Sequence, residues 1–340
     1  MAEGWSFEIN LAGLTVGVAQ IIAILLMVIF GLINRVSLSL AAKTSKILGL
    51  FLLLPIVLIS IAPLISSDWR VDRLMHNFDP NLYTTLDGLK VLAIWLFLVC
   101  WSSYSTEMSA SFAAEYKTIK DMKFAVLSSS FYTTIVFLLV GLGIGGLVDA
   151  EVALKNPNSF YIGVFVQLTN EQWAPLFSTA LICALCMGLN AGLADGSRAL
   201  YTMSVEGLTI KQLSKLNKYS IPERCILVAI VMNIMMVIFL KSPLAILVAA
   251  NMGYVICVIC ALTGYYFLKK EKVEHSEEFV MSERWLPFVL IIAFYTFIIL
   301  CVGLTFVDEA GYGSTKELLI GSGILFISVL LYWIRRYWQK

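Results

Sequence analysis

The chain has 340 residues, 59% of them hydrophobic and 14% charged, with a formal net charge of +1. A soluble domain carries roughly 25% charged and 45–50% apolar residues, so this balance excludes an ordinary water-soluble enzyme. The near-neutral charge gives no reason to expect nucleic acid or an acidic partner.

Apolar runs of helical length follow one another along the sequence, each able to cross a hydrocarbon core of roughly 30 Å. In chain order the predicted spans are 11–33, 46–66, 89–114, 124–148, 174–203, 223–241, 243–268, 285–307 and 317–338. Each is rich in Leu, Ile, Val and Phe and poor in charge, the signature of a helix in lipid. The alternating ten-residue segments of an outer-membrane barrel are absent. The expected fold class is an all-α integral membrane protein with about nine transmembrane helices in a single membrane domain, 1–340. Met1–Asn10 carries Glu3 and Glu8 and no basic start, unlike a cleaved signal peptide.

Lys and Arg predict the orientation. If the connection after the first span is cytoplasmic, that side collects seventeen basic residues, among them Arg35, Lys43, Lys46, Lys211, Lys218 and Arg335. The other side collects six: Arg70, Arg73, Lys90, Lys155, Lys241 and Lys316. Cytoplasmic loops gather Lys and Arg, which places the N-terminus outside and the C-terminus in the cytoplasm. With an odd number of spans, the chain opens like one whose first helices are missing.

The third span holds the clearest anomaly. After an apolar stretch ending at Cys100, the chain runs Trp101, Ser102, Ser103, Tyr104, Ser105, Thr106, Glu107. Polar runs at membrane depth line a cavity or mark a discontinuous helix, whose ends hold charged groups of a small solute. The alternative is one continuous helix whose hydroxyls bond back to their own turn. An ionised Glu107 in mid-span costs roughly 2.5–3.5 kcal/mol and should face protein or water. Asp195 and Arg198 lie at i, i+3 in the fifth span, where a plain ion pair would suffice. Lys46 opens the second predicted span, where snorkelling would suffice.

Other patterns are demoted. Gly141-Leu-Gly-Ile-Gly-Gly146 matches a dinucleotide fingerprint in spacing only, having neither a strand before it nor a helix after it; close helix packing explains it better. Cys183/Cys186 and Cys257/Cys260 lie inside apolar helices, and His76 and His275 lie on opposite sides, so no metal site or cofactor is expected. No catalytic constellation is present, and an enzyme is not expected. The stretch Phe160–Leu168 is too short to span and fits an interfacial or lid helix outside. Residues 204–222 read as a basic connector inside.

Trp101-Ser-Ser-Tyr-Ser-Thr-Glu107 followed by Glu115-Tyr-Lys117 resembles the sixth helix of amino acid–polyamine–organocation transporters. Ala194-Asp-Gly-Ser-Arg-Ala-Leu-Tyr-Thr-Met-Ser-Val-Glu-Gly-Leu208, with Lys215-Leu-Asn and Ile221-Pro222, is similar to their eighth helix and its loop. Lys46-Ile-Leu-Gly49 resembles the start of their fifth. The resemblance implies a partial LeuT-like inverted-repeat fold containing the family's helices four to twelve and lacking the first three. Residues 11–66 would be the remnant of the first repeat, 89–268 the complete second repeat, and 285–338 two additional helices.

The resemblance further implies secondary transport of amino acids or related amines across the cell membrane, by proton-coupled symport or exchange. Trp101 would stack on the solute, and Ser102, Ser103, Tyr104, Ser105 and Thr106 would hold its polar ends. Glu107, Lys46 and Asp195 would act in gating or proton coupling. The rival expectation is a truncated, non-transporting permease fragment or an accessory membrane subunit. Self-association is left open by the sequence.

Overall fold

The computed structural model describes residues 8–11, 14–77, 84–104, 106–155, 160–240, 243–271, 281–310 and 315–339. Ser105, Lys241 and the segment 272–280 with His275 lie outside them. Among the described residues, nine helical segments are long and apolar enough to cross a membrane: Val18–Val36, Leu38–Ile65, Leu86–Ser103, Ile119–Leu147, Glu171–Val205, Glu223–Leu240, Ala245–Lys270, Glu283–Glu309 and Thr315–Trp338. Much of their apolar surface faces outward, with Leu185 in mid-helix 75% exposed, as lipid-facing side chains require.

The start of the chain corrects one expectation. The first span begins at Val18 rather than at residue 11, because the preceding residues pair as a hairpin of β1 (Glu8–Leu11) and β2 (Leu14–Gly17). The β-branched Thr15 and Val16 favour that extended backbone. Gly17 then closes the strand and caps α1 (Val18–Val36), its N–H donating to Gln20 Oε1 at 3.0 Å.

A single extended residue, Ser37, separates α1 from α2 (Leu38–Ile65), and its Oγ accepts from Leu40 N. The second predicted span therefore starts eight residues early, and Lys46 sits inside α2 rather than at its head. Short α3 (Val71–Asn77) follows, then α4 (Leu86–Val99), short α5 (Met108–Ser111) and α6 (Ile119–Leu147). Helix α6 starts before residue 124 because the Thr118 hydroxyl accepts from Asp121 N.

Gly143, Gly145 and Gly146 lie near the end of α6 and serve packing, whereas Gly141 faces open space. Gly143 lies against Pro63, and a Cβ at Gly146 would fall 2.1 Å from Trp69 Nε1, which donates to the Leu142 carbonyl. Arg73 and Asn77 from α3 donate to the Leu147 and Val148 carbonyls, satisfying the helix end that the chain itself leaves open.

Beyond α7 (Ala150–Lys155), α8 (Phe160–Leu168) packs against α2 and α9 (Ala174–Val205). Phe165 of α8 stacks on Phe177 of α9 at 4.1 Å, with Ile59 of α2 beside them. The last helices are α10 (Glu223–Leu240), α11 (Pro243–Lys270), α12 (Leu286–Phe306) and α13 (Thr315–Trp338).

Two packed groups result. In one, α2 and α10 flank α9, with α1 against α9 and α10. A buried polar knot joins three of these helices: Asn34 Nδ2 donates to Asn190 Oδ1 at 2.8 Å, while Asn190 Nδ2 lies 2.8 Å from both the Ala41 carbonyl and Ser45 Oγ. In the other, Ile94, Phe97 and Leu98 of α4 share a core with Val248, Met252 and Val255 of α11 and Ile299 and Leu300 of α12. Gly303 of α12 lets that core close, since a Cβ there would meet the Phe97 ring at 2.2 Å.

Candidate functional site: an interrupted helix between two clamps

The hydroxyl-rich run is where regular helix stops. Helix α4 ends at Val99, a 3₁₀ turn covers Cys100–Ser103, and Tyr104 turns the backbone to φ −57°, ψ 145°. Only four residues later does α5 begin. The predicted single span 89–114 is thus corrected to Leu86–Ser103 plus a separate short helix. Lys90 holds the far end of α4 by an ion pair with Glu309 at 2.8 Å.

The hydroxyls explain how such a break survives in a membrane. Where backbone N–H partners are lost, side chains must replace them. Ser102 Oγ donates to the Val99 carbonyl at 2.6 Å, and Ser103 Oγ to Cys100 at 2.7 Å. Ser129 Oγ of α6 lies 2.9 Å from the Thr106 carbonyl. Thr106 Oγ1 stands 3.0 Å from both the Ser103 carbonyl and Glu107 Oε2. Trp101 is half exposed, and its carbonyl accepts from Tyr104 N.

Helix α11 grips the break from one side. Asn251, almost fully buried, donates Nδ2 to the Phe97 carbonyl, and its Oδ1 has no partner among the described residues. One turn on, Tyr254 Oη lies 3.2 Å from Ser103 Oγ, and its ring meets the Tyr104 ring edge-on at 5.5 Å. Either hydroxyl can be the donor of that pair.

Helix α9 grips it from the other side, and here a further expectation is corrected. Asp195 and Arg198 do not pair with each other. Tyr104 Oη donates to Asp195 Oδ2 at 2.7 Å. Arg198 Nε donates to Glu115 Oε1 at 2.6 Å, its NH1 to the Ala194 carbonyl, and its guanidinium covers the Phe112 ring. The i, i+3 spacing instead lets one face of α9 hold both ends of the interrupted segment.

Glu107 is exposed at the N-terminus of α5. Lys46 is exposed on α2 and makes no hydrogen bond or ion pair among the described residues, so no contact brings it to the break. Sequence reasoning missed Asn251, Tyr254 and Ser129. For Asn251 a signal existed, because an amide inside an otherwise apolar span needs a protein partner.

Among the described residues, nine helices of membrane length, one of them ending in a polar break held between two clamps, define a multi-pass membrane protein. The chain belongs to the amino acid permease family, whose model matches residues 7–330. It is 22% identical over 212 residues to the uncharacterized amino acid permease YvbW of Bacillus subtilis (strain 168), covering 61% of this chain and 47% of that protein. To the amino-acid permease RocE of the same organism it is 26% identical over 152 residues, covering 44% of this chain and 32% of that protein. The chain therefore spans about half the length, or less, of these curated relatives. The family points to a transporter rather than an enzyme.

Proposed function

We propose that the chain carries an amino acid or related amine across the membrane, with the solute docking at the break of 101–107. The observation that supports this most is the helix interruption itself, held open by α9 and α11 rather than zipped into a rod. Trp101 offers its ring to the solute, and the hydroxyl-lined backbone from Ser102 to Thr106 takes the zwitterion's ends. In this reading 89–268 is a complete repeat, 11–66 the end of its inverted counterpart and 285–338 two additional helices. The N-terminus lies outside and the C-terminus inside, following the Lys/Arg bias.

Proton coupling belongs to Glu107, and hydroxyl arithmetic supports it. Thr106 Oγ1 has one proton and two acceptors within 3.0 Å. An ionised Glu107 competes with the Ser103 carbonyl for that proton. A protonated Glu107 donates instead, and both contacts form at once. Proton loss and gain at Glu107 thus loosen and tighten the break. Asp195 acts through Tyr104 as a gating residue, whereas Lys46 would reach the site only after movement of α2.

The test is uptake of labelled amino acids by proteoliposomes under an imposed proton gradient. Trp101→Ala is expected to lower uptake at least about tenfold, the loss of roughly 1.4 kcal/mol of stacking. Glu107→Gln, whose amide mimics the protonated side chain, should keep exchange but lose the response to the gradient. Unchanged, gradient-sensitive uptake in both variants removes the site; no uptake by the unaltered chain favours a non-transporting subunit.

A further inference from the structure

Apart from the break, the described residues contain a charged cleft of about 410 Å³ at the membrane edge, where α1 ends and α10 begins. Its size falls within the range of roughly 300–1,000 Å³ typical of small-molecule sites. Arg35, Lys218, Tyr219 and Glu223 form its polar side, and Leu32 and Val36 its apolar side. It lies on the face that carries the Lys/Arg surplus.

The cleft is built by Asn217. Its Nδ2 donates to the Arg35 carbonyl at 3.0 Å, tying the loop after α9 to the end of α1. Its Oδ1 accepts from Tyr219 N and Ile221 N at 2.9 and 3.1 Å. Ser220 adopts a left-handed φ of 59° to close this turn. The turn leaves Lys218 and Tyr219 side by side, with Nζ 5.0 Å from the ring centre.

We propose that this cleft binds the headgroup of an anionic glycerophospholipid. Arg35 spends one nitrogen on Glu223 at 2.6 Å, which leaves the rest of its planar fork for a phosphate. Lys218 has no carboxylate within ion-pair distance among the described residues. Two cations and one carboxylate leave a single positive charge, matching a phosphodiester's single negative charge better than a doubly charged free phosphate. Leu32 and Val36, half exposed and one turn apart on α1, continue from the cleft into the hydrocarbon layer and give an acyl chain its wall. A basic pocket between helix ends flanked by an interfacial Tyr is suited to such a lipid.

The experiment adds phosphatidylglycerol, phosphatidylcholine or inorganic phosphate to the whole chain in neutral detergent and reads lipid binding and apparent melting temperature. Phosphatidylglycerol should bind and stabilise more than phosphatidylcholine. Its apparent affinity should fall about fivefold in Lys218→Ala, recover in Lys218→Arg, and stay unchanged in Lys120→Ala, which removes a lysine elsewhere on the same face. Equal loss in Lys218→Ala and Lys120→Ala, or no loss in either, overturns the site. So does an equal response to phosphatidylcholine, and so does inorganic phosphate reproducing the whole effect.

Discussion

Uptake by Asp195→Ala is expected to fall about ten- to a hundredfold, with protein yield and melting temperature little changed. A hydrogen bond to a charged group contributes roughly 1.5–3 kcal/mol, and that energy here selects the conformation in which Tyr104 is pulled toward α9. Tyr104→Phe removes the same bond from the other end and should cost a similar factor. The double variant should be no worse than either single one, because the two changes delete one interaction. Asp195→Asn keeps an acceptor oxygen and should restore part of the rate. Additive losses, or a normal rate in Asp195→Ala, would show that the tether has no part in transport.

The anchor of that tether should be the most fragile polar point of the membrane domain. Asn190 and Asn34 are both almost wholly buried, and together they knit α1, α2 and α9. Asn190→Leu keeps the branched heavy-atom outline but removes three contacts between helices. Such bonds average about 0.6 kcal/mol in membranes and reach about 1.7, so the expected loss is roughly 2–5 kcal/mol. Reversible unfolding in mixed micelles, comparing Asn34→Leu, Asn190→Leu and both, measures it. The pair should be strongly non-additive, since the Asn34 contact to Asn190 Oδ1 disappears in every case. A loss below about 0.5 kcal/mol would mean that these amides find equal partners in the unfolded chain. Because Asn190 lies five residues before Asp195 on one helix, the knot also explains why α9 is firm enough to hold the break.

The sequence made the helices and the break legible for one reason: lipid punishes polar backbone and side chains, so departures from apolar composition stand out. The run from Trp101 to Glu107 is such a departure, and helix ends there. What it left unreadable are long-range partners. Spacing placed Asp195 and Arg198 on one face of a helix, but only the fold shows that each reaches across to a different end of the 104–115 segment. Spacing likewise put Lys46 at a helix start, because Ser37, a single residue, is too short a signal for the true turn. Residues 11–17 are as apolar as a span, and hydropathy alone cannot separate a strand from the helix that follows. Asn251 and Tyr254 were hidden in an apolar window whose average conceals two polar side chains facing the same break.

The most direct measurement is hydrogen–deuterium exchange of the peptide covering 100–108 in the reconstituted protein, with and without a mixture of the common amino acids. Fast exchange that slows on adding amino acids, while α4 upstream stays protected throughout, is the expected pattern. Protection as deep as that of α4, indifferent to every amino acid, would contradict a solute seat at this place.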